Sequence, residues 1–172
     1  VTLPERRNGF RRSRRIRKES PNKLVETDAP LASPPATSTP EPVRFLVVED
    51  EPLIGLDLVT LLEDAGYVVV GPITTLAQAL AEAEAFRPHA AFVDVNLEDG
   101  PTGPEVARRL ADRHGARCLF LTGNPELAEA GAADGLIRKP YRVEAVAEAA
   151  AWLAALALGD LRDRPAGVDA VG

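Results

Sequence analysis

Four short stretches of the sequence end an apolar run on a side chain able to do chemistry. "FLVVEDE" closes on Glu49, Asp50 and Glu51, and "AFVDVNLEDG" carries Asp94 with Asn96 two residues on. "LFLTG" ends on Thr122 and Gly123, and "IRKPY" carries Lys139 before Pro140. An unpaired carboxylate is costly to bury, so an acid at the tip of an apolar run is paired, bound to a metal, or reacting. Clustered carboxylates make one another harder to ionise unless a cation intervenes. Oxygen donors without His or Cys suit Mg2+, which takes one or two carboxylates and keeps several waters. An ammonium opposite the acids suits a phosphoryl oxygen, a threonine hydroxyl adds a hydrogen bond, and Gly123 leaves room for a tetrahedral group. Carboxylate nucleophile, hard cation, ammonium and hydroxyl are together the parts for phosphoryl transfer onto an aspartate. Each part alone has a plainer reading. Acids after a strand favour a helix N-terminus, Asp94 fits a cap or turn, Thr122 a strand end, and Lys139 before proline a strand exit. Their convergence on one rim is what singles out the chemistry.

That convergence depends on the elements carrying the four stretches. "VRFLVVE", "YVVVGP", "AAFVDV", "RCLFLTG" and "GLIRKP" read as five short strands without polar alternation. Helical patterns separate them. Ile54, Leu58, Leu61 and Leu62 share a face with Gly66 as the stop, and Leu76, Leu80 and Ala83 form an inward stripe. "GPEVARRLADRHG" and the shorter "NPELAEAGA" follow, and a long last helix carries the stripe Val143, Val146, Ala150 and Leu153. Trp152 and Leu156 fall off that stripe and are expected to be either ordinary partly exposed apolar residues or part of a partner or self-association surface. Strands apolar on both faces, alternating with helices, predict an α/β fold with a parallel sheet between helix layers. Such sheets bind ligands at the carboxyl ends of their strands, where all four stretches place their reactive residues. The second strand ends on Gly71-Pro72 and offers nothing reactive, as expected of an edge strand.

The 172 residues suffice for one domain with a proper core. Net charge is −6, unevenly spread: residues 1–42 hold 9 Lys+Arg against 5 Asp+Glu, the remainder 11 against 21. The compact part is therefore acidic and a poor general binder of nucleic acid. Residues 1–42 are basic, then rich in Pro, Ser and Thr, and are expected to be a disordered tail. "SRRIRK" lacks the hydrophobic stretch that an export signal needs. Residues 43–158 form the expected domain, and 159–172 a flexible tail. No apolar run is long enough to cross a bilayer, so no membrane insertion is expected. One cysteine, Cys118, precludes a disulfide within the chain and fits a cytoplasmic setting as a core thiol.

Over roughly residues 43–158 the chain resembles the receiver domain of bacterial two-component response regulators, in its single-domain form. The matching pieces are "FLVVEDE", "AFVDVNL.DG.TG", "LFLTG" and "IRKPY", in that order. The resemblance implies a flavodoxin-like, doubly wound five-stranded sheet of order 2-1-3-4-5 with helices on both faces. It implies Asp94 as phosphoacceptor, Asp50 as a direct Mg2+ ligand, Glu49 assisting directly or through water, and Asn96 offering its backbone carbonyl. Thr122 and Lys139 would hold the phosphoryl oxygens, and Pro140 would fix the turn. The partners it implies are a sensor histidine kinase or phosphotransfer protein and a downstream protein target, and a homodimer stays open. The output surface would be the short helix before strand five, that strand and the last helix. Leu136 departs from the pattern, since many receivers carry an aromatic switch residue there; Tyr141 is a candidate substitute. Two other readings stand beside this one. A haloacid-dehalogenase-like phosphatase also uses a strand-end Asp with Mg2+, but needs an acid where this chain has Asn96. A DNA-contacting regulator would rest on the basic arm alone, with no reader motif behind it, so DNA is not an expected partner.

Overall fold

The computed structural model describes residues 41–128 and 133–171. The basic arm up to residue 40, and with it the DNA reading, lies outside them, as does the end of the expected short helix. Of that helix the structure describes a 3-10 turn, Pro125–Leu127. Five strands alternate with four helices: β1 (Arg44–Val48), α1 (Pro52–Asp64), β2 (Val68–Ile73), α2 (Leu76–Phe86), β3 (Ala90–Val93), α3 (Gly103–His114), β4 (Arg117–Thr122), β5 (Gly135–Arg138) and α4 (Val143–Ala157). All neighbouring strands are parallel, in the order β2-β1-β3-β4-β5. The order reverses between β1 and β3, which opens a crevice at their carboxyl ends.

Successive strand residues point to opposite faces, and the sheet accordingly divides the interior into two cores. Phe45, Val47, Phe92, Leu119, Leu121 and Ile137 pack with α1 and α4. Leu46, Val48, Val93, Cys118, Phe120 and Leu136 pack with α2 and α3. Cys118 is buried as expected, and burial pushes its thiol pKa up.

Four details differ from the sequence reading. β2 does not close at Gly71-Pro72 but runs on to Ile73 through a register shift against β1, a break in the ladder where an edge strand tolerates proline. The inward stripe of α2 is Leu76, Ala79, Ala83 and Phe86 rather than one including Leu80; Ala79 and Ala83 are fully buried, because small residues let this helix sit close to the sheet. On α4, Val143 is exposed while Trp152 is buried, only 7% accessible. Residues beyond the helix cover it: the indole N–H donates to the Arg162 carbonyl at 3.2 Å. Residues 159–171, read from the sequence as a tail, run back to the sheet and make an antiparallel bridge, Leu136 to Asp169.

Gly103, the first residue of α3, seats that helix against the loop after β3. Its N–H donates to the Val95 carbonyl at 3.0 Å, and a Cβ there would run into the Asp94 carbonyl and lie 2.7 Å from the Val95 Cα. Gly103→Ala is expected to destabilise the fold by about 1–3 kcal/mol, the usual range for overpacking against backbone. A lowered urea midpoint at unchanged m-value would show it.

Candidate functional site

Strand-ladder hydrogen bonds carry one residue beyond each strand and so fix the backbone under the reactive side chains. The Glu49 N–H donates to the Ile73 carbonyl at 2.8 Å, Asp94 N–H to the Val48 carbonyl at 2.8 Å, and Lys139 N–H to the Thr122 carbonyl at 2.9 Å. Three strands thereby deliver an acid, an acid and an amine to the same rim.

There the side chains meet. The Lys139 ammonium donates to both Glu49 oxygens, at 3.0 and 2.8 Å, and to Asp94 Oδ2 at 2.7 Å. Glu51 Oε1 lies 3.7 Å from the same nitrogen. The other Asp94 oxygen, Oδ1, accepts from the Asn96 N–H at 3.3 Å, and Glu49 Oε1 accepts from the Glu51 N–H at 3.3 Å. Glu49 and Thr122 are almost sealed from solvent, with 1% and 0% exposure, and Asp94 is buried at 7%. The Thr122 hydroxyl sits at the end of β4 and accepts from the Asn124 N–H at 3.0 Å. Asp50 is half-buried at the mouth of the cluster, and Glu49, Asp50 and Asp94 can each place one carboxylate oxygen within 4.8 Å of the others.

The charges are not balanced. Burial, against which the Lys139 contacts act, holds Glu49 above the ordinary carboxylate range. Burial and then the Asp94 charge do the same to Asp50. Burial by itself would lower the Lys139 pKa, but hydrogen bonds to Asp94 and Glu49 prevail and raise it, so the amine stays an ammonium. One cation thus stands among four carboxylates, and two of these resist ionisation. Three closely set oxygen donors with a surplus of negative charge fit a hard divalent ion. Among the described residues this is the one such cluster. Glu49, Asp50 and Asp94 would hold the ion.

Of the residues singled out in the sequence, Glu49, Asp50, Asp94 and Lys139 are brought together. Asn96 enters through its backbone N–H, and Thr122 is joined to Lys139 through the backbone. Leu136 is buried in the core against α2 and α3. Tyr141 packs against the opposite core, beside α1 and α4, where burial pushes its hydroxyl up to about 12. It lines, with Ile54, Leu58, Leu61 and Lys139, a groove of about 890 Å³ next to the site. Glu51 and Gly103 were missed as contributors. Glu51 stood in view in the "EDE" run, and a glycine opening a helix between Thr102 and Pro104 was the signal for a close backbone approach.

Comparison with known proteins identifies the family. The model of the response regulator receiver domain family matches residues 45–151, and the chain belongs to that family. It is similar to the phyllosphere-induced regulator PhyR of Methylorubrum extorquens, 35% identical over 103 residues that make up 58% of this chain and 39% of the relative. It is also similar to the DNA-binding transcriptional activator DevR/DosR of Mycobacterium tuberculosis, 40% identical over 46% of this chain and 37% of the relative. The chain thus spans about two-fifths of the length of these curated relatives. Among solved structures, the receiver domain of Erythrobacter litoralis PhyR superposes with a TM-score of 0.59 at 25% identity, over 73% of this chain and 96% of that one. Brucella abortus PhyR gives 0.58 at 29% identity, over 70% and 50% respectively. Among the described residues no helix is long and apolar enough to cross a membrane.

Because Glu49 and Asp50 hold protons more tightly folded than unfolded, the metal-free protein loses stability as pH rises through their raised folded values. Asp50→Asn removes one share of that loss. At neutral pH the variant is expected to be more stable than the parent by up to about 1 kcal/mol, the solvent-screened scale of such a repulsion. Urea titrations across pH check this. Mg2+ is expected to raise the parent's midpoint and to leave the variant's nearly unchanged.

Proposed function

We propose that Asp94 accepts a phosphoryl group from a phosphohistidine of a sensor kinase or phosphotransfer protein, with Mg2+ present, and that the loaded form signals to a partner protein. The observation that carries this reading is the Lys139 ammonium seated between Asp94 and Glu49. Asp94 is held by its backbone at Val48 and by the Asn96 N–H at one carboxylate oxygen. Its oxygen attacks phosphorus, the N–P bond breaks, and the electron pair returns to the donor imidazole, which takes up a proton. Lys139 already touches the attacking carboxylate, so it follows the negative charge onto the phosphoryl oxygens without crossing the site. The metal, when bound, neutralises phosphoryl and carboxylate charge. The Thr122 hydroxyl leaves its Asn124 contact to join the new group, and the segment after β4 rearranges with it.

The donor approaches over the groove beside Lys139. Its apolar floor of Ile54, Leu58 and Leu61 and the exposed Leu53 and Leu56 of α1 suit contact with a partner helix. Turnover of phosphate esters is not expected, because Asn96 cannot act as an acid or base toward a water. Cytoplasmic action follows from the donor, a kinase spending ATP.

With a phosphorylated donor, Asp94→Asn is expected to reduce labelling to background, and undiminished labelling would defeat the assignment. Lys139→Met, which keeps the carboxylates, is expected to slow labelling by about 100-fold, read as the initial rate of phosphoryl incorporation.

A further inference from the structure

The outer edge of β5 is not free. After α4 the chain turns at Leu158 and Gly159, the latter at φ +82, and runs back along the helix. Arg162 receives the Trp152 indole N–H, and Gly167 lies so close to Ala145 that a Cβ on it would stand 3.1 Å from the Ala145 Cβ. Val168 is buried at 5% over Gly135, where an added Cβ would meet its Cγ1 at 2.5 Å. Asp169 then pairs with Leu136 through two backbone bonds, at 3.0 and 2.8 Å, and its carboxylate accepts from Arg138 Nε at 3.0 Å. These contacts have the form of a bound peptide: a turn at Ala166 and Gly167 closed by the Val168 N–H on the Pro165 carbonyl at 3.0 Å, a notch for one β-branched side chain, one residue bridged to the strand edge, and a cation for that residue's acid.

We infer that the β5 edge and the flank of α4 form a backbone-pairing site for a Gly-Val-Asp peptide that enters through a turn, held in the resting protein by the chain's own residues 167–169, and that loading of Asp94 releases this resident segment. The release rests on the phosphoacceptor reading above. The hold is modest: one buried valine, the half-buried Val171, the Trp152 indole bond to Arg162, two ladder bonds and an ion pair whose two partners are both more than half exposed, set against the ordering of the segment after α4. Its cation is also next in sequence to the residue that must move. Arg138 precedes Lys139, whose ammonium follows the charge on Asp94, and β5 is a four-residue edge strand with a strand neighbour on one side only. The reseated lysine and the Arg138–Asp169 pair are thus carried by one four-residue strand, through which loading weakens the pairing. An edge so uncovered is a template for another extended segment.

The experiment uses the full chain, with acetyl phosphate and Mg2+ as the phosphoryl source and intact mass as the measure of loading. The single tryptophan, Trp152, reports the segment, and amide exchange at Leu136 and Asp169 reports the pairing. Loading is expected to speed exchange at both amides about tenfold or more and to shift Trp152 emission to the red. A loaded protein with unchanged exchange overturns the release. No loading with either acetyl phosphate or a phosphorylated donor overturns the phosphoacceptor reading and the release with it, and the seat is then decided by variants. Val168→Asp is expected to reproduce both signals without a phosphoryl donor and to bind a labelled Pro-Ala-Gly-Val-Asp-Ala-Val peptide that the parent does not bind. Arg138→Asp is expected to lose protection that the exchange pair Arg138→Asp with Asp169→Arg regains. Absence of peptide binding to Val168→Asp, with its circular dichroism intact, overturns the seat.

Discussion

The arrangement depends on one ammonium. Glu49 and Asp94 stand side by side because β1 and β3 are neighbours, and both are largely removed from water. Two such carboxylates repel each other, and neither has water enough to offset the repulsion. Lys139 bridges them at hydrogen-bond distance. Removing one partner of a buried charge set leaves the rest uncompensated, so the three groups stand or fall together. The bridge also ties β5, at the margin of the sheet, to the two strands at its middle.

The reactive residues were legible because the physics that places them is simple. Apolar runs become buried strands, strands in an α/β sheet run parallel, and whatever follows them gathers at one end. The acids and the lysine could therefore be read before any coordinates, while the strand order came from the resemblance to the receiver family. The helix faces were less legible. In α2 alanines rather than leucines mark the buried stripe, since close approach to the sheet selects size over hydrophobicity. Thr122 shows a different limit. Its position follows from β4, but its hydroxyl is taken by the Asn124 N–H, a local bond that no pattern of apolar residues reveals. The segment after α4 was hidden because backbone bonds and one valine hold it, and neither leaves a periodic trace. Trp152 looked exposed for the same reason, as its cover comes from outside the helix.

The two cores give the aromatic question a structural form. Leu136 occupies the usual switch position but is an aliphatic residue packed toward α2 and α3. Tyr141 lies on the other side of the sheet, next to Lys139 and the groove under α1. In this chain the aromatic side chain near the site lies beside the lysine and the α1 surface, not in the layer of α2 and α3.

The close seat of Gly103 under Asp94 makes the site's two banks mechanically unequal. The aspartate's main chain is trapped between its bond to Val48 and the first turn of α3, with no slack for even a methyl group. A bulky adduct on its carboxylate must find its room on the far bank, where a short strand carries the lysine. Added bulk at Gly103 therefore acts on the fold itself, whereas the space an adduct needs has to be yielded by the strand that carries the lysine.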